Sequence, residues 1–336
     1  MPSRFRTSRR GPVVRVLTAA VAAAAGVTMV AGCSSGSSST ASSSSSPSAS
    51  TGAGAAAAAF PVTVTPSNGK VTVKAEPQHI VSLSPTATED LYAVGAGKQV
   101  VAVDSDSDYP SDAPRTALSG LTPNVEAIVK YNPDLVIASQ DSNGLVSSLV
   151  KLGVPVLIEP SAATLADAYT QIEQIGAATG HPAQAATTVS TMKSEIAADV
   201  KQAGTDHADL SYYWELSANP YYSATSSTFI GQIASLFGAK NIADKADKAS
   251  DGGYPELSQE YIVSAKPQII FLADNQAADG GQTPRIVGAR PGWAGIPAVK
   301  TGQIIALDDD IASRWGPRLP QLVAQLAQAI EKTSGQ

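Results

Sequence analysis

Cysteine is almost missing from this chain of 336 residues: there is one, Cys33. A single thiol closes no intramolecular disulfide and builds no cysteine-based zinc site. Three histidines, His79, His181 and His207, are too few and too scattered for a His-rich metal centre, so no metal ligands are assigned. Charged residues are only 15% of the chain and the net charge is −6, which argues against a nucleic-acid partner, since that needs a basic face. Aromatic residues make up 5%, so any aromatic wall has to be assembled from few side chains. What is plentiful is hydrophobic: 43%, enough for globular folding without disulfides. The length suits two domains of about 150 residues each.

The N-terminus reads as an export and anchoring segment. Arg4, Arg6, Arg9, Arg10 and Arg15 form a basic region, and Val16 to Val30 is apolar and alanine-rich. Val30-Ala31-Gly32-Cys33 then places small residues before the sole cysteine, the pattern of a bacterial lipoprotein signal over residues 1–33. Acylation of Cys33 would hold the chain on the extracytoplasmic face of the cell membrane, because two or more acyl chains bind stably. Residues 34–59 are Ser, Ala, Gly, Thr and Pro, a flexible stalk with nothing to bury. Gly32-Cys33-Ser34-Ser35-Gly36 matches a nucleophile elbow by letters only, since no strand and helix flank it.

From Phe60 onward the pattern is α/β twice over. Ile80–Leu83, Val100–Val103, Leu135–Ala138 and Val154–Ile158 are short, nearly continuous apolar runs, as buried parallel strands require. Helical stretches such as Thr86–Val94 and Val125–Lys130 separate them. A second set follows at Tyr212–Leu216, Ile269–Ala273 and Ile304–Leu307. Glu126-Ala127-Ile128-Val129 with Pro133-Asp134-Leu135-Val136 aligns to Glu260-Tyr261-Ile262-Val263 with Pro267-Gln268-Ile269-Ile270, each position 134 residues further on. Between the two sets, Ala185, Val189, Met192, Ile196, Val200 and Ala203 make one apolar stripe at helical period, with Pro182 at its start and Gly204 at its end. The spacing predicts two α/β lobes with mainly parallel sheets, at 60–180 and 205–336, joined by one long helix at 181–204.

The chain from about His79 to its C-terminus resembles the solute-binding proteins of ABC importers for cobalamin and ferric siderophores, the class with a single backbone helix between two lobes. Ile80-Val81-Ser82-Leu83-Ser84-Pro85-Thr86-Ala87-Thr88-Glu89, Ser107-Asp108-Tyr109-Pro110, Asn132-Pro133-Asp134-Leu135-Val136 and Tyr254-Pro255-Glu256-Leu257-Ser258-Gln259-Glu260 carry the resemblance. The cobalamin-binding members are the most similar. The resemblance implies a cleft between the lobes, lined by Tyr109, Tyr222 and Tyr254, with Asp310 and Arg314 on a late strand-to-helix loop. It implies that Glu126 and Glu260 dock onto the two subunits of a permease dimer served by ATPase subunits. It implies a monomer with no catalytic residues and no resident cofactor, the cargo being a corrinoid or a ferric hydroxamate-type siderophore. Ser139 and Leu118 depart from it, standing where or near where the family carries tryptophans.

Elementary chemistry adds an independent reading. Tyrosines suit a large amphipathic macrocycle, since they bury area and still offer a hydrogen bond. Polyanionic chelates favour arginine clusters, whereas the loop here is Asp308-Asp309-Asp310 with Arg314. Bland accounts stand beside each assignment. Tyr109 and Tyr254 precede prolines and serve equally as turn residues, the aspartates as a solvated run, and Arg314 as their partner. Trp214, Trp293 and Trp315 read as packing residues. Ser84-Pro85 and Thr86-x-x-Glu89 read as capping-box chemistry. Glu126 and Glu260 fit a first helical turn by dipole alone. A different class is raised by Ser190-x-x-Lys193, Ser217-x-Asn219 and Lys300-Thr301-Gly302, the ordered elements of penicillin-recognising serine enzymes. That chemistry needs its serine at a helix start, whereas Ser190 is predicted mid-helix.

Overall fold

Short β-branched runs bounded by turn residues do become the strands. The computed structural model describes residues 59–276 and 281–335; the signal segment, Cys33 and nearly all of the stalk lie outside the described residues. The first half contains β1 (Val62–Val64), β2 (Val71–Val73), β3 (Ile80–Leu83), α1 (Pro85–Ala93), β4 (Val100–Asp104), β5 (Arg115–Leu118), α2 (Val125–Val129), β6 (Leu135–Ala138), α3 (Leu145–Lys151), β7 (Val156–Ile158) and α4 (Leu165–Thr179). Helix α5 (Pro182–Ala203) follows. The second half contains β8 (Ser211–Glu215), β9 (Ser217–Ala218), β10 (Tyr221–Tyr222), α6 (Phe229–Ser235), β11 (Lys240–Asn241), β12 (Glu256–Leu257), α7 (Gln259–Ala265), β13 (Ile269–Leu272), α8 (Pro284–Gly288), α9 (Pro297–Thr301), β14 (Ile304–Ala306), α10 (Asp309–Ser313) and α11 (Leu319–Ser334).

Each half builds one parallel sheet. The first has strand order β5-β4-β3-β6-β7 and the second β11-β8-β13-β14. The strands β3, β6, β7 and β13 are buried at every position, which explains why their sequences are nearly continuous apolar runs. Alternate residues go to different cores. Ile80, Val103, Leu135 and Ile137 face the same cluster as Tyr212, Trp214, Ile269 and Phe271. Val81, Leu83, Val136 and Ala138 face a second cluster under α2 and α3, and Tyr213, Ile270 and Leu272 a third beside α7–α9.

The first cluster crosses between the lobes because α5 carries it. Ala185, Val189, Met192, Ile196 and Ala203 are buried along one stripe of α5, with Val200 half-buried. The helix packs against both α4 and α11. Pro182 opens it and Gly204 ends it at φ 84°. The α4 contact is close enough that a Cβ on Gly176 would collide with the Cβ of Ala185.

Periodicity did not reveal the smallest pieces. The β1–β2 hairpin, the edge strands β5 and β11, and the antiparallel sheet β12-β10-β9 consist of strands two to four residues long, below the length at which a period shows. The run at Val154 enters the sheet only at Val156, since Pro155 has no N–H for a ladder.

Candidate functional site

The site lies where the C-terminal ends of the two parallel sheets meet. In open α/β sheets, ligands bind outside those ends, at the point where strand order reverses. In the first lobe that point lies between β3 and β6, and in the second between β8 and β13. Segments leaving the two sets of strand ends touch. Arg314, just after α10, reaches residues of α1 and of the loop after β4. Trp315 Nε1 donates to Gln171 Oε1 at 2.8 Å, and Gln232 Nε2 to the Ala163 carbonyl at 2.8 Å.

One ion network ties this junction. Glu89, on α1, is 2% exposed and accepts from both late arginines. Arg314 donates to its Oε1 at 2.9 Å. Arg318 donates from Nε to Oε2 at 2.8 Å and from NH2 to Oε1 at 2.6 Å. Arg314 also donates to Asp310 Oδ1 at 2.6 Å, Asp108 Oδ1 at 3.0 Å and the Asp106 carbonyl at 3.2 Å. Burial opposes ionisation of Asp108, but its hydrogen bond and charge contact with Arg314 prevail and hold it below the usual carboxylate range. Asp310 goes the other way: burial and the charges of Asp108 and Asp308 raise it in spite of Arg314. Burial raises Asp104, and burial with Glu89 and Glu159 nearby raises Asp90 well above its ordinary value.

Two expectations need correction here. Glu89 forms no capping box. The N-cap of α1 is Ser84, whose Oγ accepts from Ala87 N at 3.4 Å, and Glu89 turns to the arginines instead. Nor is Asp308–Asp310 a solvated run. Asp308 caps α10 through Ile311 N at 3.0 Å, Asp309 accepts from Asn275 N and Gln276 N at 3.2 and 2.8 Å, and Asp310 holds Arg314.

Three tyrosines keep much of their surface free. Tyr109, Tyr222 and Tyr254 are 46%, 41% and 45% exposed, and they are the aromatic members of the exposed large hydrophobic side chains among the described residues. The Arg318 guanidinium lies 4.3 Å from the Tyr109 ring centroid, so the second lobe orients a first-lobe aromatic. Tyr222 sits in the small antiparallel sheet that follows β8, and Tyr254 lies two residues before its strand β12. Tyr222 pairs with Glu256, and Ser223 N donates to the Pro255 carbonyl at 3.1 Å. Continued pairing makes Tyr254 a diagonal neighbour of Tyr222 on one face, a spacing that aromatic rings bridge. The structure thus joins Tyr109, Asp310 and Arg314 in one group and places Tyr222 and Tyr254 together in another. Leu118 is a core residue at 6% exposure, and Ser139 follows β6, half-buried.

Sequence reasoning missed a second buried pair. Arg290 donates bidentately to Glu215 at 2.6 and 2.6 Å and to Gln282 Oε1 at 2.7 Å. Its guanidinium lies 5.2 Å from the Tyr221 ring and 4.6 Å from that of Trp293. Close by, burial raises Asp274 to about 7, helped by the charge of Glu215. Glu215 ends a strand and Arg290 follows α8, so no sequence spacing joins them.

Glu126 and Glu260 occupy the same second position of α2 and α7, and both are exposed. Asn124 and Ser258 cap these helices, accepting from Ala127 N at 2.9 Å and Tyr261 N at 3.1 Å. The serine-enzyme motif does not assemble. Ser190 is exposed in mid-α5, and Lys193 Nζ sits 4.7 Å from the Tyr169 ring centroid. Lys300 and Thr301 end α9, with Gly302 as its C-cap. Among the described residues no group of three His, Cys, Asp or Glu could hold a metal ion, and no helix is long and apolar enough to cross a membrane.

Comparison with known proteins agrees with this geometry. The chain is 34% identical over 280 residues to an uncharacterized ABC transporter substrate-binding lipoprotein, YvrC, of Bacillus subtilis (81% of this chain, 86% of that protein). It is 31% identical over 282 residues to the cobalamin-binding protein of Halobacterium salinarum (82% and 75%). Among solved structures, the apo periplasmic heme-binding protein RhuT of Roseiflexus sp. RS-1 superposes with a TM-score of 0.65 at 26% identity, covering 77% of this chain and 99% of that one. The profile of the family described as periplasmic binding protein matches residues 80–311. By sequence and by its two parallel-sheet lobes, the chain belongs to the periplasmic binding protein family.

Proposed function

We propose that this protein is a membrane-tethered solute-binding lipoprotein that captures a corrinoid, cobalamin-like ligand and delivers it to an ABC importer. The observation that carries the reading is the set of half-exposed tyrosines: Tyr109 beside an arginine pair whose charge is already matched by acids, and Tyr222 with Tyr254 beside the small sheet of the second lobe. Rings with that much free surface lack a packing role that accounts for them, and a flat amphipathic ligand would cover them. The Halobacterium relative named for cobalamin binding supports the same class. The matched charge equally suits a neutral ferric hydroxamate chelate, which is the second reading.

Delivery rests on Glu126 and Glu260. Two exposed carboxylates at equivalent positions, one per lobe, fit a permease dimer with two equivalent basic sites, and such rim charges set orientation and on-rate. Anchoring rests on acylation of Cys33. The protein acts as a monomer on the extracytoplasmic face, its role being binding rather than catalysis. Titration of the purified protein with cyanocobalamin, cobinamide and ferric hydroxamates, followed by calorimetry and absorbance, tests the ligand. Saturable one-to-one corrinoid binding is the expected result. Binding of hydroxamates alone would select the second reading, and binding of neither would overturn both.

A further inference from the structure

We propose that Glu89 sets the ligand-charge specificity of the site between the lobes, by engaging Arg314 and Arg318 together and, with Asp108 and Asp310, offsetting their charge so that neutral ligands are accepted and polyanions are not. This rests on the corrinoid reading above and deepens it. Glu89 touches no ligand in this account; it is a positioning residue acting through the two arginines.

The geometry supports the role in three ways. First, one carboxylate serves two guanidiniums. Both oxygens are engaged, with three contacts of 2.6 to 2.9 Å, and the Glu89 side chain is 1% exposed. Both oxygens are thus satisfied by charge-assisted contacts, the condition under which a buried ion pair is tolerated. Second, the other groups on Arg314 add negative charge: Asp108 and Asp310 both bind it, and Asp104, Asp106 and Asp308 lie close in sequence or space. Removing the Glu89 charge would shift the balance by one unit at the point where both arginines meet. Third, the pairing joins the lobes. Glu89 lies on α1 and the arginines lie after α10, so Glu89 meets them only when the two halves are together, whereas Asp310 holds Arg314 within its own lobe.

The same acid also fixes where the arginines point. Arg318 is stacked 4.3 Å from the Tyr109 ring while its Nε and NH2 are held by Glu89. A guanidinium used on its edge by a carboxylate and on its face by a ring has little left for a ligand phosphate or carboxylate, which needs the same edge. Without the acid, that edge is released toward the tyrosine wall.

The test compares the affinities of the full chain for cyanocobalamin, a neutral corrinoid, and for ferric citrate and inorganic pyrophosphate, two anionic probes. The wild-type protein is expected to prefer cyanocobalamin. Glu89→Gln should shift the affinity ratio toward the anions by at least about tenfold, the effect of one buried unit of charge. Glu89→Asp, which keeps the charge, should retain the wild-type preference. The double variant Glu89→Gln with Arg318→Gln restores the balance and should return the ratio toward wild type, an outcome that simple loss of packing would not produce. Where Glu89→Gln fails to fold, Arg318→Gln alone reads the proposal in the opposite direction, lowering affinity for the anions further. A wild-type preference for cyanocobalamin with a ratio unmoved in these variants overturns this inference alone. Tight wild-type binding of ferric citrate in place of cyanocobalamin overturns the corrinoid reading and this inference together. If the wild-type protein binds neither nutrient probe, pyrophosphate decides: binding by Glu89→Gln but not by wild type sustains the role of Glu89, and equal behaviour refutes it.

Discussion

Two buried glutamates in this protein each hold arginine, and the difference between them separates support from function. Glu215 and Arg290 lie wholly within the second lobe, side-chain exposure 0% and 9%, with the guanidinium enclosed by Tyr221, Trp293 and Gln282. Every partner there is fixed by one core, so the pair behaves as part of it. Glu89 is equally buried but its arginines come from the other lobe, and around them lie half-exposed acids and a free tyrosine face. The chemistry is shared; what differs is whether the partners belong to one packed unit or to two. A pair inside a unit governs stability, whereas on the proposal above a pair between the lobes also governs which ligands are taken.

The sharpest way to break that comparison is to remove one cation from each network. Arg290→Leu strands Glu215 in the interior and should cost about 3–5 kcal/mol of stability in urea unfolding, with no change in ligand selectivity. Arg314→Leu should cost less, because Arg318 still holds Glu89 through two contacts. Equal losses in the two variants would erase the distinction. Next in size are the ligand walls. Tyr109→Ala and Tyr254→Ala should each weaken corrinoid binding by about 1–3 kcal/mol in calorimetry while leaving the melting temperature nearly unchanged. The Tyr109 variant should be the more damaging, since it also frees the face of Arg318.

A pH series tests the two regions separately. Burial lifts Asp274, beside the Glu215–Arg290 pair, from an ordinary 3.8 to about 7. Burial lifts Glu159, near the junction of the lobes, from 4.5 to about 8. The folded protein thus keeps protons that the unfolded chain releases near the ordinary values. Stability from these groups is full below those values and is lost as pH rises through about 7 and 8. Asp274→Asn should flatten the first part of that decline and Glu159→Gln the second, read from urea midpoints across the range; an unchanged slope contradicts the assignment. Smallest in stability is the helix-end pair. Glu126→Ala with Glu260→Ala should lose only about 0.3–1 kcal/mol per site in folding and nothing in ligand affinity, yet support little uptake with the cognate importer. Normal uptake at low receptor level would leave only the helix-dipole account.

Much of this was legible along the chain. The parallel strands announce themselves because burial on both faces forbids polar alternation, and α5 because a single stripe of six apolar residues can only face one way on a helix. The equivalence of Glu126 and Glu260 is visible because two lobes of like design repeat a helix start and a proline-led strand at a constant offset. Tyr109, Asp310 and Arg314 were placed by resemblance, and the coordinates bring those three together.

Glu89 escaped such reading because its neighbours in sequence offered a sufficient local reason for it, a helix start with capping residues. Its real partners lie more than two hundred residues away, and charge pairs at that distance leave no period or spacing behind. Arg290 and Glu215, 75 residues apart, likewise share no period or spacing. The sequence by itself determined the elements and their faces, because hydrogen-bonding geometry and hydrophobic period act over a few residues. Only the tertiary structure decided which charges meet, which tyrosines stay uncovered and which carboxyls are starved of water, because burial and Coulomb contact depend on the packing of segments remote in the chain.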